Sequence, residues 1–169
     1  LAGAVKHKPV KGEKLNSMLN RKQSFEPGLS DYISRQNNEN VLIINIESVP
    51  AIEALDEILS VEGLDAVLVG PHDLSCSLGI PEQYQHPRFI AAVETIITKA
   101  RSRGVGAGVH MWDAVGFDQE IQWAKKGANF IMHSSDLLLF RDALKKDLQS
   151  IRQALDASLV KENNSGFNI

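Results

Sequence analysis

Two carboxylate side chains follow two strongly apolar segments of this 169-residue chain. Glu47 comes directly after the near-continuous apolar run 41–46, and Asp73 follows the apolar run 66–69 across a Gly-Pro break, on a loop of small residues. If both runs are buried strands of one parallel sheet, their carboxyl ends lie at the same edge. Hard divalent ions such as Mg²⁺ prefer oxygen ligands and keep several waters, so one or two carboxylates suffice. The pair therefore predicts a divalent metal site at that edge.

Each of these acids also has a purely structural explanation. A Glu that precedes a proline-led helix can sit near the positive end of the helix dipole. An Asp that precedes Leu74 and Ser75 can cap a turn. Both explanations stay open for each residue on its own, and the position of the two acids at one predicted edge favours the metal.

The elements that must position these residues alternate between strand and helix patterns from residue 41 onwards. The predicted strands are 41–46, 66–69, 105–109 and 129–132, and the predicted helices are 51–60, 87–103, 118–126 and 136–159. Ser48 as N-cap and Pro50 in the first turn mark the start of the first of these helices. Strand and helix in alternation, joined by short turns, predict a parallel α/β sheet. Four such strands are half of an eight-stranded barrel, which needs about 250 residues.

The sequence predicts a flanking segment on each side of this α/β part. Residues 1–40 are polar and poorly periodic and are predicted to be an irregular arm with a short helix near 31–37. Residues 41–160 form the predicted half-barrel with its terminal helix, and residues 161–169 a flexible tail. The terminal helix has a wide apolar face that fits either docking on its own barrel or contact with another subunit (Leu137, Leu138, Phe140, Leu144, Leu148, Ile151, Leu155).

Composition excludes several classes of function. The formal net charge is −3, and no basic stripe suited to nucleic-acid binding is present. No apolar run approaches the roughly 20 residues of a membrane span. The single cysteine, Cys76, cannot form an internal disulfide, which fits a reducing cytoplasm. Because the first residue is Leu1 and no signal pattern follows, we expect either processing or a piece of a longer protein.

Three short segments of the chain form a recognisable set: Ile46-Glu47-Ser48, Val61-Glu62-Gly63-Leu64-Asp65 and Gly70-Pro71-His72-Asp73-Leu74-Ser75. Together they resemble the HpcH/HpaI aldolase family, the class II, metal-dependent pyruvate aldolases related to the citrate lyase beta subunit. The resemblance covers roughly residues 41–155. It implies a (β/α)8 TIM-type barrel of the phosphoenolpyruvate/pyruvate-binding kind, of which this chain holds the second half. It also implies reversible cleavage of 4-hydroxy-2-oxo acids to pyruvate, or a related 2-oxo acid, plus an aldehyde.

The resemblance also implies roles for individual residues. Glu47 and Asp73 match the family's ligands for a divalent metal, Mg²⁺, Mn²⁺ or Co²⁺. The turn that binds the 2-oxo acid matches Gly70, Pro71, His72 and Asp73, and Asn45 matches an amide side chain two residues before the ligand Glu. The family's catalytic His and its enolate-stabilising Arg lie in the first half of the barrel. No catalytic residue is therefore assigned here, and the chain alone is expected to be weakly active or inactive. Relatives exchange the terminal helix between subunits, which implies a homo-oligomer.

Two other functions stay open at this stage. A CoA-linked lyase of the citrate lyase beta type would use the same acids, but it would need a long CoA-binding surface with basic residues, which the sequence does not show. A non-catalytic remnant that acts only in assembly would explain the absent first half. The aldehyde, the preferred metal and the oligomeric state are left open by the sequence.

Three further side chains have both a functional and a structural interpretation. His72 could contact substrate or the surroundings of the metal, or face solvent on its loop. His110, at the end of the third predicted strand, could line the mouth of the barrel or be a hydrogen-bonded residue of its rim. Ser134 and Ser135 are the other polar residues at the predicted strand ends. Cys76 could act as a nucleophile, but it has no nearby basic group in the sequence, which favours a packed, unreactive thiol.

Overall fold

The computed structural model describes residues 1–111 and 116–164, and the chain divides into two compact units, residues 1–132 and 133–169. The elements in chain order are α1 (Ala2–Lys6), α2 (Gly12–Leu19), α3 (Pro27–Asn37), β1 (Ile43–Ile46), α4 (Val49–Glu53), α5 (Leu55–Leu59), β2 (Ala66–Val69), α6 (Pro71–Ser77), α7 (Pro87–Ser102), β3 (Gly106–Met111), α8 (Phe117–Lys125), β4 (Phe130–His133) and α9 (Asp136–Asn164). Among the helices within these ranges, none is both long enough and apolar enough to cross a membrane.

The four strands lie in one sheet in the order in which they occur in the chain, β1-β2-β3-β4. β1 pairs with β2 and β2 with β3, both in parallel, so that Ile46 lies beside Val69 and Val69 beside Val109. Helices join each of these strands to the next. This confirms the predicted α/β fold with a parallel sheet and places the carboxyl ends of the strands at one edge.

The core lies on one face of the sheet, under the helices. Alternate strand residues point to opposite faces, and the set that includes Ile46, Val69 and Val109 joins the buried cluster. Helix α7 covers this set with an apolar stripe that is wholly excluded from solvent, Phe89, Val93, Ile96, Ile97 and Ala100. Each of the larger side chains contributes about 1.5–3 kcal/mol of burial free energy. The opposite face of β1 carries Asn45, and by the same alternation Glu47 follows on that face.

One glycine sets how closely β3 and β4 approach each other. A Cβ atom at Gly108 would lie 1.8 Å from the carbonyl oxygen of Phe130. Only glycine fits at that position without moving the backbone of β4.

Residues 1–40 contain helices α1, α2 and α3 instead of the predicted irregular arm. Contacts that are distant in sequence hold these short helices, because Gly3 of α1 is buried against Leu15 of α2, and the Asn37 amide of α3 donates to the carbonyl of Lys8. α3 begins at Pro27, earlier than residue 31, since proline fits the first turn of a helix. Short polar helices stabilised by such contacts leave no apolar period in the sequence.

Three further expectations differ in detail from the structure. The predicted helix 51–60 is divided at Ala54 into α4 and α5, although the Ser48 hydroxyl caps α4 as predicted and accepts a hydrogen bond from the Ala51 amide at 3.3 Å. The predicted loop after β2 is helix α6, which Gly70 precedes and Pro71 begins. Helix α9 starts at Asp136 as predicted but runs on to Asn164, so part of the predicted tail 161–169 is helical and residues 165–169 lie outside the described ranges.

Candidate metal and substrate site

Glu47 lies at the carboxyl end of β1, between a fully buried strand residue and the cap of a helix. Ile46 before it is 0% exposed, and Ser48 after it begins α4. The amide of Gly70 donates to the carbonyl of Ile46 at 3.4 Å, which continues the β1–β2 pairing to the strand ends. Glu47 and Gly70 are therefore neighbours across the two strands. The glutamate side chain is half-buried.

The side chain of Glu47 occupies space that only glycine leaves open at position 70. A Cβ atom at Gly70 would lie 2.6 Å from Oε1 and 2.7 Å from Cγ of Glu47. The carboxylate therefore lies over the end of β2. The Asn45 amide, on the same face of β1, donates a hydrogen bond to Oε1 at 2.9 Å. Glycine on one side and asparagine on the other fix the direction of this carboxylate.

Asp73 lies in the first turn of helix α6, three residues after Gly70, and is exposed. The prediction that it stands on a loop is wrong, because buried Pro71 and Leu74 anchor a helix at this point. The change matters chemically. The first N–H groups of a helix have no acceptor within the helix, and they point towards its positive end. The N–H groups of His72 and Asp73 are of this kind, and they follow Gly70 at the carboxyl end of β2.

Among the described residues, no Lys, Arg or His side chain neutralises Glu47 or Asp73. Within residues 1–111 and 116–164, neither acid forms an ion pair, whereas Asp56 pairs with Lys99 and Arg103. A hydrogen bond from Lys99 lowers the pKa of the Asp56 carboxyl. The same ranges contain no group of three or more His, Cys, Asp or Glu side chains that could hold a metal. The chain thus offers two carboxylates, the number with which a strongly hydrated ion such as Mg²⁺ can be bound.

The structure also locates the three other polar residues that follow predicted strands, His110, Ser134 and Ser135. His110 directly follows Val109, the partner of Val69, so it stands at the level of Gly70 on β3 and is half-buried. Ser135 has a structural role, since its hydroxyl accepts from the amide of Leu138 at 3.4 Å in the first turn of α9. Ser134 takes a left-handed backbone conformation with φ of 51°.

The prediction that the Cys76 thiol is packed against other residues is wrong. The thiol is exposed, and its Sγ atom lies 4.0 Å from Nε2 of His72. The two residues share a helix face because they are four positions apart on α6. On the other side of the imidazole, Nδ1 lies 3.7 Å from a carboxylate oxygen of Glu82. The spacing from His72 to Cys76 would have revealed this pair had the segment been predicted as a helix.

Comparison with known proteins finds one family. Residues 10–143 match the HpcH/HpaI aldolase/citrate lyase family. A 2-keto-3-deoxy-L-rhamnonate aldolase from Escherichia coli O1:K1 is 38% identical over 133 residues, which are 79% of this chain and 49% of that protein. The chain spans about half the length of the curated relatives it matches.

Solved structures agree with this result. An HpcH/HpaI aldolase from Desulfitobacterium hafniense DCB-2 superimposes with a TM-score of 0.68 at 26% identity, covering 89% of this chain and 57% of that one. An HpcH/HpaI aldolase/citrate lyase family protein from Burkholderia cenocepacia J2315 gives a TM-score of 0.65 at 27% identity, covering 72% of this chain and 46% of that one. The matched aldolases are TIM barrels, and the four parallel-sheet strands described above correspond to part of such a barrel.

Proposed function

This chain belongs to the HpcH/HpaI aldolase/citrate lyase family, and we propose that it forms the metal-binding part of an aldolase active site. The reaction is the reversible cleavage of a 4-hydroxy-2-oxo acid to pyruvate, or a related 2-oxo acid, and an aldehyde. The observation that supports this most is the Glu47 carboxylate, which lies over Gly70 at the carboxyl ends of two paired parallel strands and has no ion-pair partner among the described residues. The Escherichia coli relative is named for a 2-keto acid, which fits this substrate class.

The residues at this edge fit a hard divalent ion. Glu47 and Asp73 would hold Mg²⁺, Mn²⁺ or Co²⁺ through carboxylate oxygens, the donors that such ions prefer. When bound, the ion supplies Lewis-acid polarisation of the ketone oxygen of the 2-oxo acid. The space over Gly70, which a Cβ atom would fill, is the feature of the fold that admits the Glu47 carboxylate to this position.

The chain's own contribution is to bind and orient the 2-oxo acid. Asn45 holds Oε1 of Glu47, which leaves Oε2 to face a ligand. The turn formed by Gly70, Pro71, His72 and Asp73 presents the N–H groups of the first turn of α6. These N–H groups would donate to the substrate carboxylate, and the helix dipole favours the negative charge there. His72 would take part through its backbone, because its side chain is directed towards Cys76 and Glu82.

No residue of this chain is given the role of catalytic base. The proton transfers of the reaction therefore need groups beyond those assigned here, and we expect little or no aldolase activity from the chain by itself. A CoA-linked lyase of the citrate lyase beta type would use the same two acids. That alternative is less favoured because the sequence shows no long CoA-binding surface with basic residues near these strand ends.

The proposal also covers the cellular compartment of the protein and its binding partners. We expect a cytoplasmic protein that acts on small molecules and forms a homo-oligomer. The single, unpaired cysteine supports a reducing compartment. The apolar side chains along α9 are exposed, among them Leu137 at 72% and Phe140 at 66%, and such a stripe is a contact surface for another protein segment.

A Mn²⁺ titration with and without pyruvate tests the proposal on the chain as it is. We expect pyruvate to tighten Mn²⁺ binding in the unmodified chain, and this effect to disappear in Asp73→Asn. The matched control is Asp118→Asn, because Asp118 is also an exposed acid in the first turn of a helix, α8. The control should bind as the unmodified chain does.

Two outcomes contradict the proposal. If Asp73→Asn binds Mn²⁺ and pyruvate as well as Asp118→Asn does, Asp73 is not a ligand. If the folded, unmodified chain binds no Mn²⁺ with or without pyruvate, the two acids do not form a site, and a non-catalytic role in assembly is favoured.

A further inference from the structure

The exposed face of helix α6 carries a second group of potential ligands, distinct in chemistry from the two acids. His72 and Cys76 are one helical turn apart, and both are exposed. Nε2 of His72 and Sγ of Cys76 are 4.0 Å apart. Imidazole nitrogen and thiolate sulfur are donors that bind Zn²⁺ and other thiophilic ions, whereas Mg²⁺ prefers oxygen.

The distance between the two donors fits a shared ion. Zinc lies about 2.3 Å from a cysteine sulfur and about 2.0–2.1 Å from a histidine nitrogen. At a tetrahedral angle these bonds separate the two donor atoms by roughly 3.6 Å. The observed 4.0 Å is close to this value, so small side-chain rotations bring both donors into coordination.

Glu82 lies near the other ring nitrogen of His72. Its Oε1 atom is 3.7 Å from Nδ1, which is beyond the range of a direct hydrogen bond. Nε2 is the ring nitrogen that lies near Sγ of Cys76. Nε2 is therefore the nitrogen placed to share an ion with the thiolate.

The backbone holds Glu82 beside α6. Its amide donates to the hydroxyl of Ser75 at 2.9 Å, and that hydroxyl donates to the carbonyl of His72 at 2.7 Å. Ser75 is 0% exposed. Glu82 has a φ of 60°, a left-handed conformation that is uncommon for a residue other than glycine. A buried serine therefore connects the backbones that carry Glu82 and His72.

We propose that His72 and Cys76 form a binding site for a thiophilic divalent cation such as Zn²⁺, with the Glu82 carboxylate as a nearby negative charge. The described residues do not include a group of three ligands that could complete a closed site. Waters fill the remaining positions, and the site stays accessible from solvent. This inference is independent of the aldolase proposal, since it uses neither the Glu47 nor the Asp73 carboxylate.

Cobalt titration of the whole chain tests this site, because thiolate-bound Co²⁺ gives a charge-transfer band in the near ultraviolet. We expect the band to appear with the unmodified chain, to disappear when Zn²⁺ is added, and to persist in excess Mg²⁺. Cys76→Ser should abolish it, and His72→Ala should weaken Co²⁺ binding at least about tenfold. Glu82→Gln should weaken binding by less than about tenfold, because Glu82 makes no direct hydrogen bond to the ring. Circular dichroism checks that each variant folds.

Glu47→Gln separates this site from the proposed carboxylate site. It should leave the cobalt band unchanged and should weaken Mn²⁺ binding, so that failure of one proposal does not imply failure of the other. The site is refuted if the unmodified chain gives no band. It is also refuted if the charge-transfer band of His72→Ala appears at the same Co²⁺ concentration as that of the unmodified chain, because the thiolate would then act without the imidazole. The band is the measure because Co²⁺ held by carboxylates alone does not give it.

Discussion

Acidic residues at the two edges of the parallel sheet have different partners. At the amino edge, before β2, Asp65 accepts a hydrogen bond from the amide of Leu42 at 2.6 Å and forms an ion pair with Lys6. At the carboxyl edge, after β1, Glu47 accepts a hydrogen bond from the neutral amide of Asn45. Lys6 neutralises Asp65, whereas no Lys, Arg or His side chain in the described part of the chain forms an ion pair with Glu47. In barrels built from parallel strands, the amino end serves stability and the carboxyl end serves chemistry.

The amino edge is a connected polar network that ties the first helices to the sheet. The Lys6 ammonium also donates to the carbonyl of Asn40, and the Asn40 amide donates to the carbonyl of Val5 and to the side chain of Asn37. The hydrogen bond from the Leu42 amide, and then the one from Lys6, lower the pKa of the Asp65 carboxyl. The folded state therefore favours the ionised form of Asp65.

The largest effect is expected at the carboxyl edge, from Gly70→Ala. The new methyl group would lie 2.6 Å from Oε1 of Glu47 and must displace this flexible side chain. We expect Mn²⁺ binding to weaken roughly tenfold or more, which is about 1.4 kcal/mol. The free energy of unfolding should change by less than about 1 kcal/mol, because a side chain can move more easily than backbone. Titration with Mn²⁺ and urea unfolding measure the two quantities.

Gly28→Ala is the matched control for this change, because a Cβ atom there meets no other atom within 4 Å. It should leave Mn²⁺ affinity unaltered. Equal Mn²⁺ affinity of Gly70→Ala and the unmodified chain would show that the position of the Glu47 carboxylate over Gly70 is not needed for binding.

At the amino edge, Asp65→Asn is expected to lower stability and to leave metal binding unchanged. This change keeps an oxygen acceptor near the Leu42 amide but removes the charge that Lys6 neutralises. We expect a loss of about 1 kcal/mol in the free energy of unfolding at neutral pH, a modest value because the carboxylate is partly exposed. Mn²⁺ affinity should not change. Asp31→Asn, at an exposed acid of α3, is the control for unfolding.

The pH dependence of unfolding sharpens this prediction. Because the pKa of Asp65 is lower in the folded chain than in the unfolded one, its stabilisation is present above the unfolded value of about 3.9 and is lost as the pH falls through the folded value. The difference in free energy of unfolding between the unmodified chain and Asp65→Asn should decrease as the pH falls below about 4. A difference between the two chains that stays constant down to pH 2 would contradict this assignment.

The smallest effect is expected from Asn45→Ala, which removes the hydrogen bond to Oε1 of Glu47. Because Asn45 is exposed, we expect Mn²⁺ binding to weaken only about threefold, and the free energy of unfolding to stay within about 0.5 kcal/mol. Asn38→Ala, at an exposed asparagine that ends α3, is the control. A loss of affinity as large as that of Gly70→Ala would show that Asn45, and not the space over Gly70, mainly positions the carboxylate.

Much of the sheet could be predicted from local pattern. The strand Ala66–Val69 and the start of α9 at Asp136 have the predicted bounds, and α7 ends one residue earlier than predicted. These elements have long apolar periods or strong cap and breaker residues, which are visible in any short window of sequence. Helices α1, α2 and α6 were missed as helices, because they are short and depend on contacts with residues far along the chain.

The sequence by itself determined the order of strands and helices, the acids at the strand ends and the family, because apolar spacing and motifs are local properties. Only the tertiary structure decided which acid is neutralised. Lys6 reaches Asp65 across 59 positions of the chain, and the Glu47 carboxylate lies over Gly70 because the two strands pair in register. Local pattern cannot supply such information, since the partners of a polar side chain are set by packing between elements that are distant in sequence.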